Sequence, residues 1–509
     1  MQRKQLILHN TLLLYGRMLF TMWLNLWATR LTLQNLGVDD LGVYGVVGSV
    51  VTMFGIFTGG ITTAVQRFVT YELGRGREGN VSGVFSTSLT LLILFSAVLV
   101  ILLEVGGLWM LNHRLNIPAE SLPAAQWVFQ FTVVTFVANM LAIPYNALVI
   151  AHERMSAFAV ISILQVVLTC IAAWSLSLFG QGRLIVYGAS MAVIAVLVRL
   201  AYQFYCHRHF SEARFRFHLD RDLLRQMARF AGVSTLSGVF QMLSGEGLIL
   251  VINLTFGVAL NAVYAIALQL KNMVLSFALN LFKAIQPQIT KTYAEGALDA
   301  HRRLVYSGSK LEVYLIYFLL LPFLFRTHQV LQLWLGEVPP FAEAFCQGTI
   351  FLSLTYAAFE PLRTAVLATG RITRFMLIPD GFYLLVLPLS WLIARLADSP
   401  AAMLFSIVAM DILACGLRVW LGAQVSVLRV RELMGQVMLP SLSVALLDAL
   451  VCCGLSFVLP VSLWGLLLLV LLNAVMLCVI ISICGLSSSE REMVQPIVRR
   501  IFPAYNMRH

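Results

Sequence analysis

Long apolar runs, broken at intervals by Gly, Pro and charged residues, follow one another along the whole chain. Several runs exceed the roughly 20 residues that an α-helix needs to cross the hydrocarbon core of a bilayer. Their Leu, Ile, Phe and Ala content favours helices over barrel strands. We therefore predict an all-α, polytopic membrane protein with about 14 transmembrane helices. These helices cover residues 9–32, 41–65, 84–111, 123–150, 157–179, 184–205, 230–255, 259–286, 309–334, 343–369, 375–396, 401–426, 436–459 and 462–485.

The composition makes lipid the main solvent of the chain. Of its 509 residues, 60% are hydrophobic and 12% are charged, which is too apolar for an ordinary soluble protein of this size. The first apolar stretch carries Arg17 and lacks the short core and small-residue cleavage site of a signal peptide, so we expect a retained helix. None of the eight cysteines has zinc-type spacing, and we predict neither a metal site nor a cofactor.

Basic residues cluster on one side of the predicted topology. They concentrate in the N-terminal tail, in the loops on the same side and in the C-terminal tail. Those on the opposite side are Arg30, Arg114, Arg183, Arg326 and Arg395. Because loops rich in Lys and Arg stay in the cytoplasm, we predict that both termini are cytoplasmic. This topology also explains the net charge of +11, and without a soluble basic domain we expect no nucleic-acid partner.

An internal repeat relates the two halves of the chain. Residues 36–76 align without a gap to residues 256–296, and ten of the 41 aligned pairs are identical. Among the identical pairs are Gly37 with Gly257, Tyr44 with Tyr264, Gln66 with Gln286, and Thr70 with Thr290. Both copies run in the same direction, so we expect two six-helix lobes related by a parallel pseudo-two-fold axis, an architecture that suits alternating access.

The repeat divides the chain into four predicted parts. They are an N-lobe of residues 1–205, a basic amphipathic linker of residues 206–229, a C-lobe of residues 230–426, and two further helices with a cytoplasmic tail at residues 427–509. The linker carries several arginines among apolar residues, which is typical of a helix lying on a membrane surface. We interpret it as a contact with anionic membrane lipids rather than with a substrate.

The helix-long patterns of residues 10–74, beginning NTLLLYGRMLF, and of residues 253–294, beginning NLTFGVALNAVY, resemble bacterial polysaccharide exporters. These are the O-antigen-unit flippases of the multidrug/oligosaccharidyl-lipid/polysaccharide (MOP) superfamily. The resemblance implies that an undecaprenyl-diphosphate-linked oligosaccharide is moved from the cytoplasmic to the periplasmic leaflet of the bacterial inner membrane. It places the protein in surface polysaccharide and lipopolysaccharide biosynthesis, with a polysaccharide polymerase as a further expected partner.

Cations inside the predicted helices are candidates for binding the anionic head group. Arg17 in the first helix and Lys271 in the eighth are the hardest to explain by snorkelling to the interface. They belong to opposite lobes, so we expect them to hold one diphosphate from two sides, with Lys283 and Arg363 guiding its entry. The alternative for Lys271 is a structural ion pair with Glu246.

Acidic residues inside the helices are candidates for ion coupling. The predicted set is Glu104, Glu246, Glu360, Asp380 and Asp411. Glu360 and Arg363 are three residues apart, the spacing of one helical face, and are expected to neutralise each other. Glu246 and Asp411 are our preferred coupling residues, because a carboxyl group in a low-dielectric environment can bind and release protons.

Two other functions compete with oligosaccharide flipping. An ion-coupled cation or drug antiporter of the same superfamily would bind positive ligands at carboxylates, whereas Arg17 and Lys271 favour an anion. A membrane glycosyltransferase or polymerase would need long external loops with acidic or histidine sites. The longest external loop, near residues 327–342, offers only His328, Glu337 and the adjoining Glu343, so we predict no enzyme activity.

Overall fold

The computed structural model describes residues 2–52, 54–113, 120–215, 220–487, 490 and 491. Within these residues the regular structure is helical and there is no β-strand, which confirms the predicted all-α class. The helices are α1 Gln2–Thr52, α2 Gly55–Gly74, α3 Val81–His113, α4 Leu122–Ala151, α5 Met155–Leu178, α6 Arg183–His209, α7 Arg221–Phe256, α8 Val258–Ala294, α9 Leu298–Phe325, α10 Thr327–Leu335, α11 Ala342–Thr369, α12 Thr373–Ala397, α13 Pro400–Val425, α14 Val430–Val458 and α15 Leu463–Gly485.

Twelve helices of the described part are long and apolar enough to cross a membrane. A thirteenth span results if Asp40–Val51 and Gly55–Gly74, which are bent by 56° relative to each other, are counted as one. The structure therefore confirms a polytopic helical protein, while the number 14 stays a prediction. The predicted helix at residues 41–65 differs most from the structure, because the chain bends sharply near Gly55 instead of continuing straight.

The described chain divides into two compact units. Unit 1 comprises residues 1–239 together with 290–296, and unit 2 comprises residues 240–289 together with 297–509, as far as they are described. The helices α7 and α8 contribute to both units. The predicted lobe and linker boundaries remain predictions, and residues 216–219 of the linker and 492–509 of the tail lie outside the described residues.

Each unit has its own apolar core. In unit 1, α4 packs along α6 and α1 packs along α5, around buried side chains such as Val47 and Phe129. In unit 2, α11 packs against α9 and α13, around Phe345, Ile252 and Met403. Many other apolar side chains are exposed, including Trp464 and Phe457. Such an apolar exterior is expected of helices whose solvent is lipid.

The sequence repeat is also a repeat of backbone conformation. Gly37 interrupts α1 and Gly257 separates α7 from α8, and both have φ of +81°. Gly76 and its aligned partner Gly296 also have positive φ, at +62° and +72°. Left-handed backbone of this kind favours glycine, because glycine lacks a Cβ atom. The aligned glycines therefore fix the same chain breaks in both copies.

A second correspondence links the ends of α4 and α11. Glu153 follows Pro144 of α4 at the same spacing as Gly370 follows Pro361 of α11. Both residues are left-handed, with φ of 59° at Glu153 and 77° at Gly370. Unit 1 thus places a glutamate where unit 2 has a glycine, at a position where a side chain carries a conformational cost.

Candidate functional site

A cavity of about 350 Å³, lined by both polar and apolar side chains, lies in unit 1 among α2, α4, α5 and α6. Four carboxamides and three hydroxyl groups line it: Gln66, Asn139, Asn146, Gln165, Thr62, Ser162 and Tyr202. The other lining residues are apolar, and none of the described residues that line the cavity is acidic. Carboxamide and hydroxyl groups both donate and accept hydrogen bonds, so this lining suits a ligand rich in hydroxyl groups.

Arg17 supplies the positive charge at this cavity. The side chain extends from the half-buried face of α1, where α1 packs against α5. Its Nη1 donates a hydrogen bond to Oγ of Ser162 at 3.4 Å, and its guanidinium lies 4.8 Å from the ring centroid of Phe158. Ser162 and Phe158 both line the cavity. A planar guanidinium held in this way can bind a phosphate oxygen pair at the cavity edge.

Lys271 and Asp411 belong to one charged cluster in unit 2. Lys271, on α8, interacts electrostatically with Asp411, on α13. Asp411 accepts a hydrogen bond from Oγ1 of Thr355 at 2.5 Å. Glu246 is exposed on α7, and no ion pair joins it to Lys271 among the described residues. The described residues thus show no Lys271–Glu246 ion pair, and the acid with which Lys271 interacts electrostatically is the predicted coupling residue Asp411.

Two ion pairs continue this cluster. Arg418 donates to Asp380 at 2.6 Å, and Gln241 donates to the other carboxylate oxygen of Asp380 at 3.3 Å. Arg363 donates to Glu360 at 2.8 Å, as the three-residue spacing predicted. The cations of this region are thus partly neutralised by acids on the same helix or on a neighbouring helix. Lys283 is exposed on α8.

The predicted cations do not all belong to the same unit. Arg17 lies in unit 1, whereas Lys271, Lys283 and Arg363 lie in unit 2. Binding of one diphosphate by Arg17 and Lys271 together stays a prediction.

Glu312 was missed by the sequence analysis. It lies on α9 within the predicted span 309–334, but its closeness to Lys310 makes it resemble an interfacial residue. The structure buries it completely, and neither carboxyl oxygen has a hydrogen-bond partner among the described residues. The available signal was simple: Glu312 is an ionisable residue inside a predicted span, and such residues are functional candidates by default.

A second cavity, of about 260 Å³, lies in unit 2 at the junction of α9, α10 and α11. His328 and Glu343 line it and contact each other, with Nδ1 of His328 2.6 Å from a Glu343 carboxyl oxygen. These are two of the three residues that the sequence analysis found in the longest predicted external loop. Both are partly exposed and paired with each other, which suits a contact between α10 and α11.

Comparisons with known proteins agree with this fold. Residues 15–175 match the family described as MatE. The uncharacterized membrane protein EpsK of Bacillus subtilis (strain 168) is 21% identical over 288 residues. That match covers 55% of this chain and 56% of the relative, so it spans little more than half of either protein.

Solved MATE structures are similar over most of this chain. A MATE protein in complex with MaD3S and an outward-facing multidrug-resistance MATE transporter of the MOP superfamily have TM-scores of 0.67 and 0.66. Each is 16% identical and covers 85% of this chain and 97% of its own. The family match over residues 15–175 and the shared helical fold agree with the resemblance to MOP-superfamily membrane transporters.

The predicted resemblance to the MOP superfamily is therefore confirmed. A MOP transporter from Pyrococcus furiosus, with a TM-score of 0.63 and 16% identity, is described as having a binding pocket of reverse polarity that suggests a different function. It covers 85% of this chain and 96% of its own. The polarity of the cavity in the present protein must therefore be taken from its own side chains.

Proposed function

We propose that the protein flips an undecaprenyl-diphosphate-linked oligosaccharide from the cytoplasmic to the periplasmic leaflet by alternating access. The bacterial inner membrane is the proposed location, with both termini in the cytoplasm and surface polysaccharide synthesis as the pathway. A polysaccharide polymerase that uses the flipped unit is a proposed partner. The observation that carries the proposal is the unit 1 cavity, with an arginine at its edge and a neutral, hydrogen-bonding lining.

This lining matches the chemistry of the proposed cargo. Sugar hydroxyl groups need partners that both donate and accept, which the carboxamides of Gln66, Asn139 and Asn146 provide. A diphosphate needs a cation, which Arg17 provides beside Ser162. A cavity of about 350 Å³ accommodates only part of a lipid-linked oligosaccharide, so we assign it to the head-group region rather than to the whole cargo.

The alternative is an ion-coupled antiporter for cationic drugs. The outward-facing structural relative is a multidrug-resistance transporter, which keeps this alternative open. A cationic ligand, however, requires carboxylates that are available to bind it. In unit 2, the carboxylates of Asp380 and Glu360 already form ion pairs with arginines. The acid-free cavity beside Arg17 therefore favours an anionic cargo.

The proposal is tested by deleting the gene in its host and analysing lipid-linked glycans and surface polysaccharide. We expect undecaprenyl-linked units to accumulate and surface polysaccharide to be lost. The wild-type gene is expected to restore the polysaccharide fully. Arg17→Lys is expected to restore it partly, and Arg17→Ala is expected to restore little of it. Arg30→Ala, a matched substitution on the same helix, is expected to restore it fully.

Membrane levels of every variant must be equal for this comparison, as measured by immunoblot. Unchanged glycans in the deletion strain, together with raised sensitivity to cationic drugs, would support the antiporter and contradict our proposal. Full restoration by Arg17→Ala would leave flipping intact but remove Arg17 from the site.

A further inference from the structure

An acid in unit 2 is buried without a partner. Glu312 has no exposed surface, and both of its carboxyl oxygens lack a hydrogen-bond partner among the described residues. Three hydroxyl groups on α9 and α11 are also buried without a hydrogen-bond partner among the described residues. They belong to Ser309 on α9 and to Ser353 and Thr364 on α11. Buried polar groups in folded proteins are nearly always hydrogen-bonded, so a cluster of exceptions requires an explanation.

The pairing of α9 and α11 accounts for the proximity of these groups. The two helices pack closely, and a Cβ atom at Gly308 would lie 3.6 Å from the ring of Pro361. Ser309 precedes Glu312 by one helical turn. On α11, Ser353, Glu360 and Thr364 recur at intervals of seven and four residues, which is one helical face. Glu360 is near enough to interact electrostatically with Glu312.

The charges around Glu312 favour its neutral form. Arg363 already pairs with Glu360 at 2.8 Å, so a second carboxylate beside Glu360 would be repelled. Lys310, two residues away on α9, is hydrogen-bonded to Glu490. Tyr356, on α11, is also near enough to interact electrostatically with Glu312, and its hydroxyl group adds no cation. An ionised carboxyl group buried without a partner costs several kcal/mol, and a bound proton removes that cost.

We propose that Glu312 is a proton-binding site of the transport cycle. Its carboxyl group carries a proton while α9 and α11 are packed as they are here. It releases that proton to water when a rearrangement of α9 against α11 hydrates the group, and the carboxylate takes up another proton in the next cycle. The hydroxyl groups of Ser309 and Ser353 are suitable donors to the transient carboxylate. The inference rests on the transport function, not on the identity of the cargo.

Infrared spectroscopy of the purified full-length protein in lipid nanodiscs tests for the bound proton. The difference between the wild-type and variant spectra is measured. The wild-type protein is expected to show the carbonyl stretch of a protonated carboxyl group at neutral pH. This component should be lost in Glu312→Gln and shifted in Glu312→Asp. Glu78→Gln is the control, because the Glu78 side chain is 84% exposed. An unchanged spectrum of Glu312→Gln at neutral pH would overturn the proposal.

A transport experiment tests whether the proton is used. Since Gln imitates the neutral acid, Glu312→Gln is expected to reach wild-type membrane levels yet fail to restore surface polysaccharide in the deletion strain. Glu312→Asp, which retains an ionisable group, is expected to restore part of it. Full restoration by Glu312→Gln would overturn the transport role, even if the infrared component is lost. If the deletion strain has normal glycans, the flippase proposal fails, and the same variants are then compared by drug sensitivity.

Discussion

Nζ of Lys291, near the end of α8, lies 2.6 Å from a carboxyl oxygen of Glu153, which follows α4 in left-handed backbone with φ of 59°. Both side chains are largely buried, at 14% and 6% exposure. Left-handed backbone costs a non-glycine residue roughly 1–2 kcal/mol, and the corresponding position in unit 2 is Gly370. The ion pair offsets that cost and joins the end of α8 to α4 within unit 1.

Replacing Glu153 by Gln is expected to destabilise unit 1. The substitution retains the shape of the side chain but leaves the Lys291 ammonium buried without its carboxylate. Breaking a buried ion pair on one side costs about 3–5 kcal/mol. The measurement is the free energy of unfolding in detergent. Glu78→Gln serves as the control, since surface substitutions stay within about 0.5 kcal/mol. An equal stability of both variants would show that the pair contributes nothing.

Two neighbouring glycines of α2 are expected to respond oppositely to alanine. A Cβ atom at Gly60 would lie 2.7 Å from the carbonyl oxygen of Ala231 and 2.1 Å from Oγ1 of Thr235, whereas one at Gly59 meets nothing within 4 Å. Gly60→Ala should therefore force α7 away and cost about 1–3 kcal/mol. Gly59→Ala should be neutral or stabilise by up to about 1 kcal/mol, because alanine is the better helix former.

Thermal unfolding of the two alanine variants, followed by intrinsic fluorescence in the same detergent, gives this comparison. A similar loss of stability in both variants would mean that helix propensity or lipid contact, rather than the α2–α7 approach, governs this segment.

The sequence predicted the helices and the repeat well, and the side-chain partners less well. Hydropathy is enough to predict the helices, because a chain in lipid must satisfy its backbone hydrogen bonds internally. The aligned pair Gly37 and Gly257 was identifiable because chain breaks require particular residues. The partner of Lys271 was not, since Asp411 is distant in sequence and only the packing of α8 and α13 brings them together. The position of Glu312 inside a predicted span was available as a signal, but its complete burial follows only from the packing of α9 against α11.

The short segment around Glu490, which follows α15, is expected to loosen from α9 in acid. Burial alone would raise the pKa of Glu490, but hydrogen bonds from Lys310, Ser307 and the backbone N–H of Ser487 outweigh it and leave the pKa below its ordinary value. The carboxylate thus contributes stability above its unfolded-state pKa of about 4.3, and this contribution is lost as the pH falls through the lower folded-state pKa.

Hydrogen exchange of the backbone near Gly485, measured from neutral to acidic pH, tests this effect. In the wild-type protein, the protection from exchange, corrected for the intrinsic exchange rate at each pH, should fall only in acid. Glu490→Gln should exchange faster already at neutral pH and lose the acid step. An acid step that persists in Glu490→Gln would assign it to another carboxyl group.

A double-mutant cycle tests the interaction between Lys271 and Asp411. Lys271→Gln and Asp411→Asn should each destabilise unit 2, because each leaves one charge of the cluster uncompensated. The double substitution should cost less than the sum, with a coupling of about 1–3 kcal/mol. A parallel cycle of Lys271→Gln with Glu246→Gln should be additive within about 0.5 kcal/mol, since Glu246 is exposed and unpaired with Lys271. Coupling in the second cycle and additivity in the first would reverse this assignment. The lysine would then be neutralised by α7 rather than by α13, and Asp411 would keep Thr355 and Arg418 as its partners.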